Sequence, residues 1–265
     1  MLTELMVMVF IGLIGSFFSG LLGIGGAIIN FPLLLYVPGW FGLEGFTAKE
    51  VAAISMLQVF FASLSGMLSN RLSARKSGTS YVHRKLVIQM GISTLIGSLI
   101  GSIASAYLNS EMINIVYGFL AVIAVIMMLI PARGDAVEKP IHEITYSTVL
   151  AAVSAFLVGC VSGIVGAGGA FILIPIMLTL LKIPTRVTIS SSLAIVFLSA
   201  VGGAIGKIAG GGIPLWPTVF AVAGSLAGAP LGTYLSRRLN IRLLRYALVI
   251  LIAVTAVKIW ADILI

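Results

Sequence analysis

Only one cysteine, Cys160, stands in the whole chain, so an intramolecular disulfide and a multi-cysteine metal site are both excluded. Charge is almost as scarce: Asp, Glu, Lys and Arg together make 9% of residues. The eight acids are Glu4, Glu44, Glu50, Glu111, Asp135, Glu138, Glu143 and Asp262. All of them can be placed in loops or near the ends of apolar runs. With no carboxylate mid-run, a carboxylate proton relay or a cation cage lacks its parts. His83 and His142 fall in polar stretches, and no nucleophile–base–acid set or metal-ligand spacing is present, so neither an enzyme nor a cofactor or metal site is expected. No Lys or Arg precedes the first apolar run, which argues against a secretory signal. The net charge of +8 is carried by clusters between apolar segments rather than by a basic stripe with interleaved aromatics, so nucleic acid is not an expected partner.

What the chain has in abundance is apolar sequence. Hydrophobic residues make 60% of it and mean hydropathy is +1.18, more apolar surface than a soluble domain can cover. The expectation is a multi-pass, all-α membrane protein, with the lipid bilayer as its main surrounding. Apolar segments fall at about 5–37, 51–72, 86–108, 113–130, 146–181, 187–208, 215–235 and 243–263. Six approach the ~20 residues of a spanning helix. The first and fifth are too long for one straight span, and both carry glycines and a proline in mid-run.

These two segments belong to an internal duplication. Ser19, Gly20, Gly23, Gly25, Gly26, Ala27, Ile29 and Pro32 recur, 143 positions on, as Ser162, Gly163, Gly166, Gly168, Gly169, Ala170, Ile172 and Pro175. Ser55, Leu57, Phe61, Ser63 and Gly66 recur 136 positions on, from Ser191 to Gly202. Gly97, Ser98, Leu99, Gly101, Tyr107 and Leu108 recur 127 positions on, from Gly224 to Leu235. The chain therefore divides into a first repeat, 1–131, a polar linker, 132–145, and a second repeat, 146–265.

Basic loops orient membrane proteins. Arg71, Arg75, Lys76, Arg84 and Lys85 cluster around loop 73–85, and Arg237, Arg238, Arg242 and Arg245 around loop 236–242. Both loops are expected in the cytoplasm. Five full crossings between them would put them on opposite faces, so one segment must return to its starting side. Ala170 to Leu181 is ~18 Å of helix, about half of a ~30 Å hydrocarbon core. The segment containing it is expected to be re-entrant. Each half then has one broken helix plus three full spans, the repeats are inverted, and both termini are extracytoplasmic. Eight ordinary kinked spans are the competing reading.

Inverted repeats with interrupted helices are the architecture of secondary transporters. Where a helix restarts inside a membrane, its first N–H groups and the positive end of its dipole face outward and can hold an anion without any side chain. The expected substrate residues are Gly23, Gly25, Gly26, Ala27, Gly166, Gly168, Gly169 and Ala170, with Pro32 and Pro175 as helix breakers. Asn30 and Gln58 join them because a lipid-facing amide is costly, and Ser55 and Ser191 as hydroxyls on the aligned second and sixth segments. The competing reading of the glycines is close helix crossing, preferred for Gly97, Gly101, Gly224 and Gly228.

The pair SGLLGIGGAIINFP and SGIVGAGGAFILIP resembles the signature of the TauE/SafE permeases, a family named for sulfite export, and the resemblance extends over essentially the whole chain. Ile24 and Ala167 stand where some relatives carry glycine, which bears on pocket width. The resemblance implies a secondary transporter of the bacterial or archaeal cytoplasmic (inner) membrane that moves sulfite, an organosulfonate or a related small organic anion. A carboxylate, sulfate or chloride transporter is the alternative within the class, and a membrane scaffold without flux the alternative outside it. The abundant small residues permit a homodimer.

Overall fold

The computed structural model describes residues 2–22, 27–77, 82–129, 144, 146–235, 250, 253–254 and 256–262. Every element among them is helical. The first half holds α1 (Leu2–Leu22), α2 (Ala27–Trp40), α3 (Ala48–Ser77), α4 (Arg84–Ala104), a 3-10 turn (Ser105–Tyr107) and α5 (Ser110–Leu129). The second holds α6 (Thr148–Val165), α7 (Ala170–Pro175) running into a widened π turn (Ile176–Leu180), α8 (Thr185–Gly210) and α9 (Leu215–Leu235). Among the described residues, seven helices are long and apolar enough to cross a membrane, and Ala170–Leu180 is a shorter apolar one. The expected segment at 243–263 lies mostly outside the described residues, as do Gly23, Gly25 and Gly26, most of the linker 132–145, and loop 236–242.

Helix is the natural state here because lipid offers no partner for a free N–H or C=O. The starts of α3, α4 and α6 are closed by side chains. Glu50 accepts from Thr47 N at 2.9 Å and the Thr47 hydroxyl from Glu50 N at 3.3 Å, a reciprocal capping box that starts α3. His83 Nδ1 accepts from Leu86 N to start α4, and Ser147 Oγ from Leu150 N to start α6.

The helices turn apolar faces outward. Along α4, Ile88, Ile92, Ile96, Ile100 and Ile103 are exposed, while Met90, Thr94, Gly97 and Gly101 on the other side are buried. Large aliphatic groups outside and hydroxyls inside invert the order of a water-soluble protein. The natural solvent of that outer face is lipid.

Inside, the backbones approach through glycine. A Cβ on Gly12 would run into Ala221 O and one on Gly20 into Ala229 O; from the other side, Gly224, Gly228 and Gly232 back onto the carbonyls of Val9, Leu13 and Phe17. The numbers rise together, so α1 and α9 run in the same direction. α4 and α6 do likewise: Gly97 faces Phe156 O, Gly101 faces Cys160 O, and Gly159 and Gly163 face the carbonyls of Thr94 and Ser98. The expected close-crossing role of Gly97, Gly101, Gly224 and Gly228 matches these contacts. With no hydrophobic drive between helices in lipid, such van der Waals fit is what holds them together. α4 also runs alongside α8, with Gly91 against Leu198 and Gly206 against Ser102. α3 and α8 cross in opposite directions, with Gly66 near Leu193 and Gly203 against Met56.

Candidate functional site

The second break is fully described. Gly166 closes α6 with φ 79°, and its N–H and that of Ala167 both donate to Ser162 O at 2.9 Å. Gly168 and Gly169 follow at φ 63° and 77°, conformations that side-chain-bearing residues rarely adopt. Gly169 is the N-cap of α7, and its carbonyl accepts from Ile172 N and Leu173 N. Three left-handed glycines thus separate the two helices.

Its surroundings fix the height of the break. A Cβ on Gly166 would strike Ala52 O, early in α3. One on Gly168 would come 2.6 Å from Val59 Cγ1 and 3.2 Å from Val196 Cγ1. Val59 and Val196 lie near the middles of the apolar stretches Ala48–Leu72 and Val187–Gly210. The break therefore reaches mid-height, between the two helices that cross at the molecule's centre.

On α3, Gln58 is the neighbour of Val59. It is fully buried; its Nε2 donates to Gly12 O at 3.3 Å and its Oε1 has no partner. Asn30, from α2, is 1% exposed, and neither of its amide atoms has a partner. The two meet across Gly15 of α1, where an added Cβ would overlap Asn30 Oδ1 and come 3.5 Å from Gln58 Nε2. Asn30 lies soon after the first break and Gly15 before it, so α2 folds back along α1. Ser55, three residues before Gln58 and so on the same helix face, is buried with a free hydroxyl, as are Ser16, Ser19, Ser162 and Ser199. Ser162 borders the second break: a Cβ on Gly169 would come 3.3 Å from its Oγ.

The structure thus brings Asn30 and Gln58 together, with Gly168 beside Val59 on the same stretch of α3. Gly166, Gly169 and Ala170 border the same turn. Ala27 starts α2 and Ala170 starts α7; Pro32 lies inside α2, and Pro175 ends α7 where the π turn begins. Ser191 is held elsewhere: its Oγ accepts from His83 N at 3.1 Å, ahead of α4. Gly15 is the residue that sequence reasoning missed, because one more glycine in an apolar helix carries no signal of what it faces.

A cavity of about 440 Å³ opens away from these residues, lined by Leu35, Tyr36, Glu111, Asn114, Ile259 and Asp262. Tyr36 donates to Asp262 Oδ2 at 3.3 Å. Two carboxylates make it a poor seat for an anion, and the chemistry lies with the orphaned amides instead.

Residues 8–259 match the model of the family described as Sulfite exporter TauE/SafE. The chain belongs to the TauE/SafE family. It is a multi-pass membrane transporter of that family, not an enzyme, and it works in a lipid bilayer on a small-molecule substrate. It is similar to "Probable membrane transporter protein YunE" of Bacillus subtilis (strain 168), 25% identical over 88% of this chain and 89% of the relative. A "Probable membrane transporter protein" of Xylella fastidiosa (strain Temecula1 / ATCC 700964) is 29% identical over 95% and 93%. "Probable membrane transporter protein MJ0441" of Methanocaldococcus jannaschii is 24% identical over 75% and 70%. The TauE/SafE chain has no match among solved structures.

Proposed function

We propose that this TauE/SafE transporter moves sulfite or a small organosulfonate across the cytoplasmic membrane, holding the anion between the two helix breaks and the Asn30–Gln58 pair. The observation that carries this reading is Asn30: a buried amide in a membrane core with both polar atoms unpartnered. Such a group costs about 1–3 kcal/mol unless something binds it. Its NH₂ donates to a sulfonyl or sulfite oxygen. Gln58 Oε1, an acceptor, suits a protonated oxygen or a bridging water. The N-terminal N–H groups of the helical stretch Ala170–Leu180 supply further donors at Gly168, Gly169 and Ala170, and Gly23, Gly25, Gly26 and Ala27 are the residues that correspond to this element by sequence in the first repeat. Ser55 completes the donor set, and Ser191, occupied by His83, supports α8.

The repeats are inverted in this reading. α4, α6 and α8 share one direction. α8 and α9 are joined by the short turn 211–214 and run oppositely, so α1, which follows α9, opposes α6. The helix that opens each repeat thus points the opposite way in the other. α3 opposes α8 and so follows α9, which supports placing loops 73–85 and 236–242 on one side, the cytoplasm. Export of a monoanion then runs down the inside-negative potential, at ~2.3 kcal/mol per charge per 100 mV.

Thermal melting of the detergent-purified protein across sulfite, sulfate, thiosulfate, sulfoacetate, taurine, acetate and chloride tests the proposal. An anion at about 100 times its dissociation constant adds ~2.7 kcal/mol. A shift confined to sulfite or a sulfonate is the expected result; a shift with chloride or acetate alone reassigns the cargo. Gly26→Ala and Gly169→Ala should each abolish that shift while the protein still inserts and folds. Unchanged binding in both would remove the backbone-donor mechanism.

A further inference from the structure

Lys207 lies in the last turn of α8 and is 5% exposed. Its Nζ donates to Ser105 Oγ at 2.6 Å and to Ile164 O at 3.0 Å. Both acceptors stand at helix C-terminal ends: Ser105 just past α4, Ile164 one residue before the end of α6. The Ile164 carbonyl belongs to the last turn, where intrahelical partners run out, and helix C-termini favour a cation. These contacts hold the ammonium in place without neutralising it.

No carboxylate among the described residues makes an ion pair with Lys207. A second cation ends at the adjoining residue: Lys49 Nζ donates to Ala106 O at 2.6 Å. Glu50, next in the chain, is folded back onto the Thr47 N–H and hydroxyl. Two ammonium groups therefore converge on the turn at Ser105 and Ala106 with no acid between them, and one of them is buried. A buried charge without a counter-charge is costly. Two of the three donors of the ammonium are used, which leaves one N–H.

The position is as telling as the charge. Ile164 precedes Gly166, the first left-handed glycine of the break, by two residues. The 136-residue offset of the duplication puts Arg71 in the register of Lys207, so each of the two central helices carries a cation at the same place. The geometry points to Lys207 as a substrate-binding residue: it supplies the positive charge that meets a small oxyanion at the mouth of the α6–α7 break, with Lys49 drawing the anion in. This rests on the anion-transport reading above and adds to it the charge that backbone donors and amides lack.

The test is sodium sulfite binding to the full-length detergent-purified protein, followed by calorimetry, with melting without ligand as the fold control. Lys207→Met should raise the sulfite dissociation constant about tenfold or more, the worth of one charge-assisted hydrogen bond. If it lowers the melting temperature but leaves the constant unchanged, Lys207 is only a helix cap and the proposal falls. Ser105→Asp covers the case of a variant that fails to fold. It sets a carboxylate beside the ammonium, and the built-in counter-charge should displace sulfite by a similar factor in a folded protein. Unchanged affinity in Ser105→Asp would equally overturn the proposal. If wild type binds none of the anions tested, the transport reading itself fails; if wild type binds and both variants match it, only the role of Lys207 is lost.

Discussion

Asn30 sits in the membrane core with neither amide atom satisfied, and this sets up two opposite effects of one substitution. Asn30→Leu removes an orphaned polar group and keeps a similar volume. Melting without ligand should therefore occur at a higher temperature than in wild type. Sulfite affinity should fall about tenfold, because the donors go with the amide. A variant that melts earlier, or that binds as well as wild type, would show that the amide is a packing element. That Asn30 and Gln58 are kept from lipid was readable in the sequence, since amides inside apolar runs have few cheap places to be, and both are buried. That they face each other was not, because the meeting point is Gly15 on a third helix. Lys207 hid for another reason. Near the end of a segment, a lysine reads as one that extends to the interface, and its burial comes from α4 and α6, both far away in the chain.

Among the helices, the most constrained contacts are the glycine-lined pairs. Gly228 faces Leu13 O with no room for a Cβ. Gly228→Leu should force α1 and α9 apart at a cost of about 1–3 kcal/mol, seen as earlier melting in detergent, while a leucine at exposed Gly39, with nothing within 4 Å, should change little. Helix existence was legible, because runs of this hydropathy leave the backbone no other solution. The short helix expected at Ala170 to Leu181 is found at Ala170–Leu180. The limb before each break was harder to size: α1 has 21 residues and α6 has 18, lengths that span a membrane by themselves. The π turn at Ile176–Leu180 had no sequence cue beyond Pro175, which withholds one N–H from the helical ladder.

The molecule as a whole is held by contacts between its halves. α1 packs on α9 and α4 on α6, α3 lies against both α8 and α9, and α4 against α8. Neither half presents a closed core alone. On the inverted topology proposed above, reporter fusions at residue 1 and residue 265 should both report the extracytoplasmic side and an insertion in loop 73–85 the cytoplasm; a cytoplasmic C-terminus would sink that topology. The duplication is read from the sequence itself, in the glycines and proline that recur at a fixed offset around the two breaks. The handshake between the halves was not, because it is made of many interchangeable small residues.

The duplication is not faithful where it matters most. The register of Asn30 holds Leu173 in the second half, and that of Gln58 holds Ala194; the buried cation Lys207 corresponds to Arg71, which is exposed. In the inverted arrangement proposed above the backbone is nearly a palindrome, and its chemistry is not. In the proposed transport cycle, a scaffold that rocks symmetrically about such a lining would have two unequal gates, one of amides and one of ammonium. It would behave as a rectifier: inward-open and outward-open forms would grip the same ion with different strength, and the direction of easy flow would be written into side chains rather than into the shape of the helices.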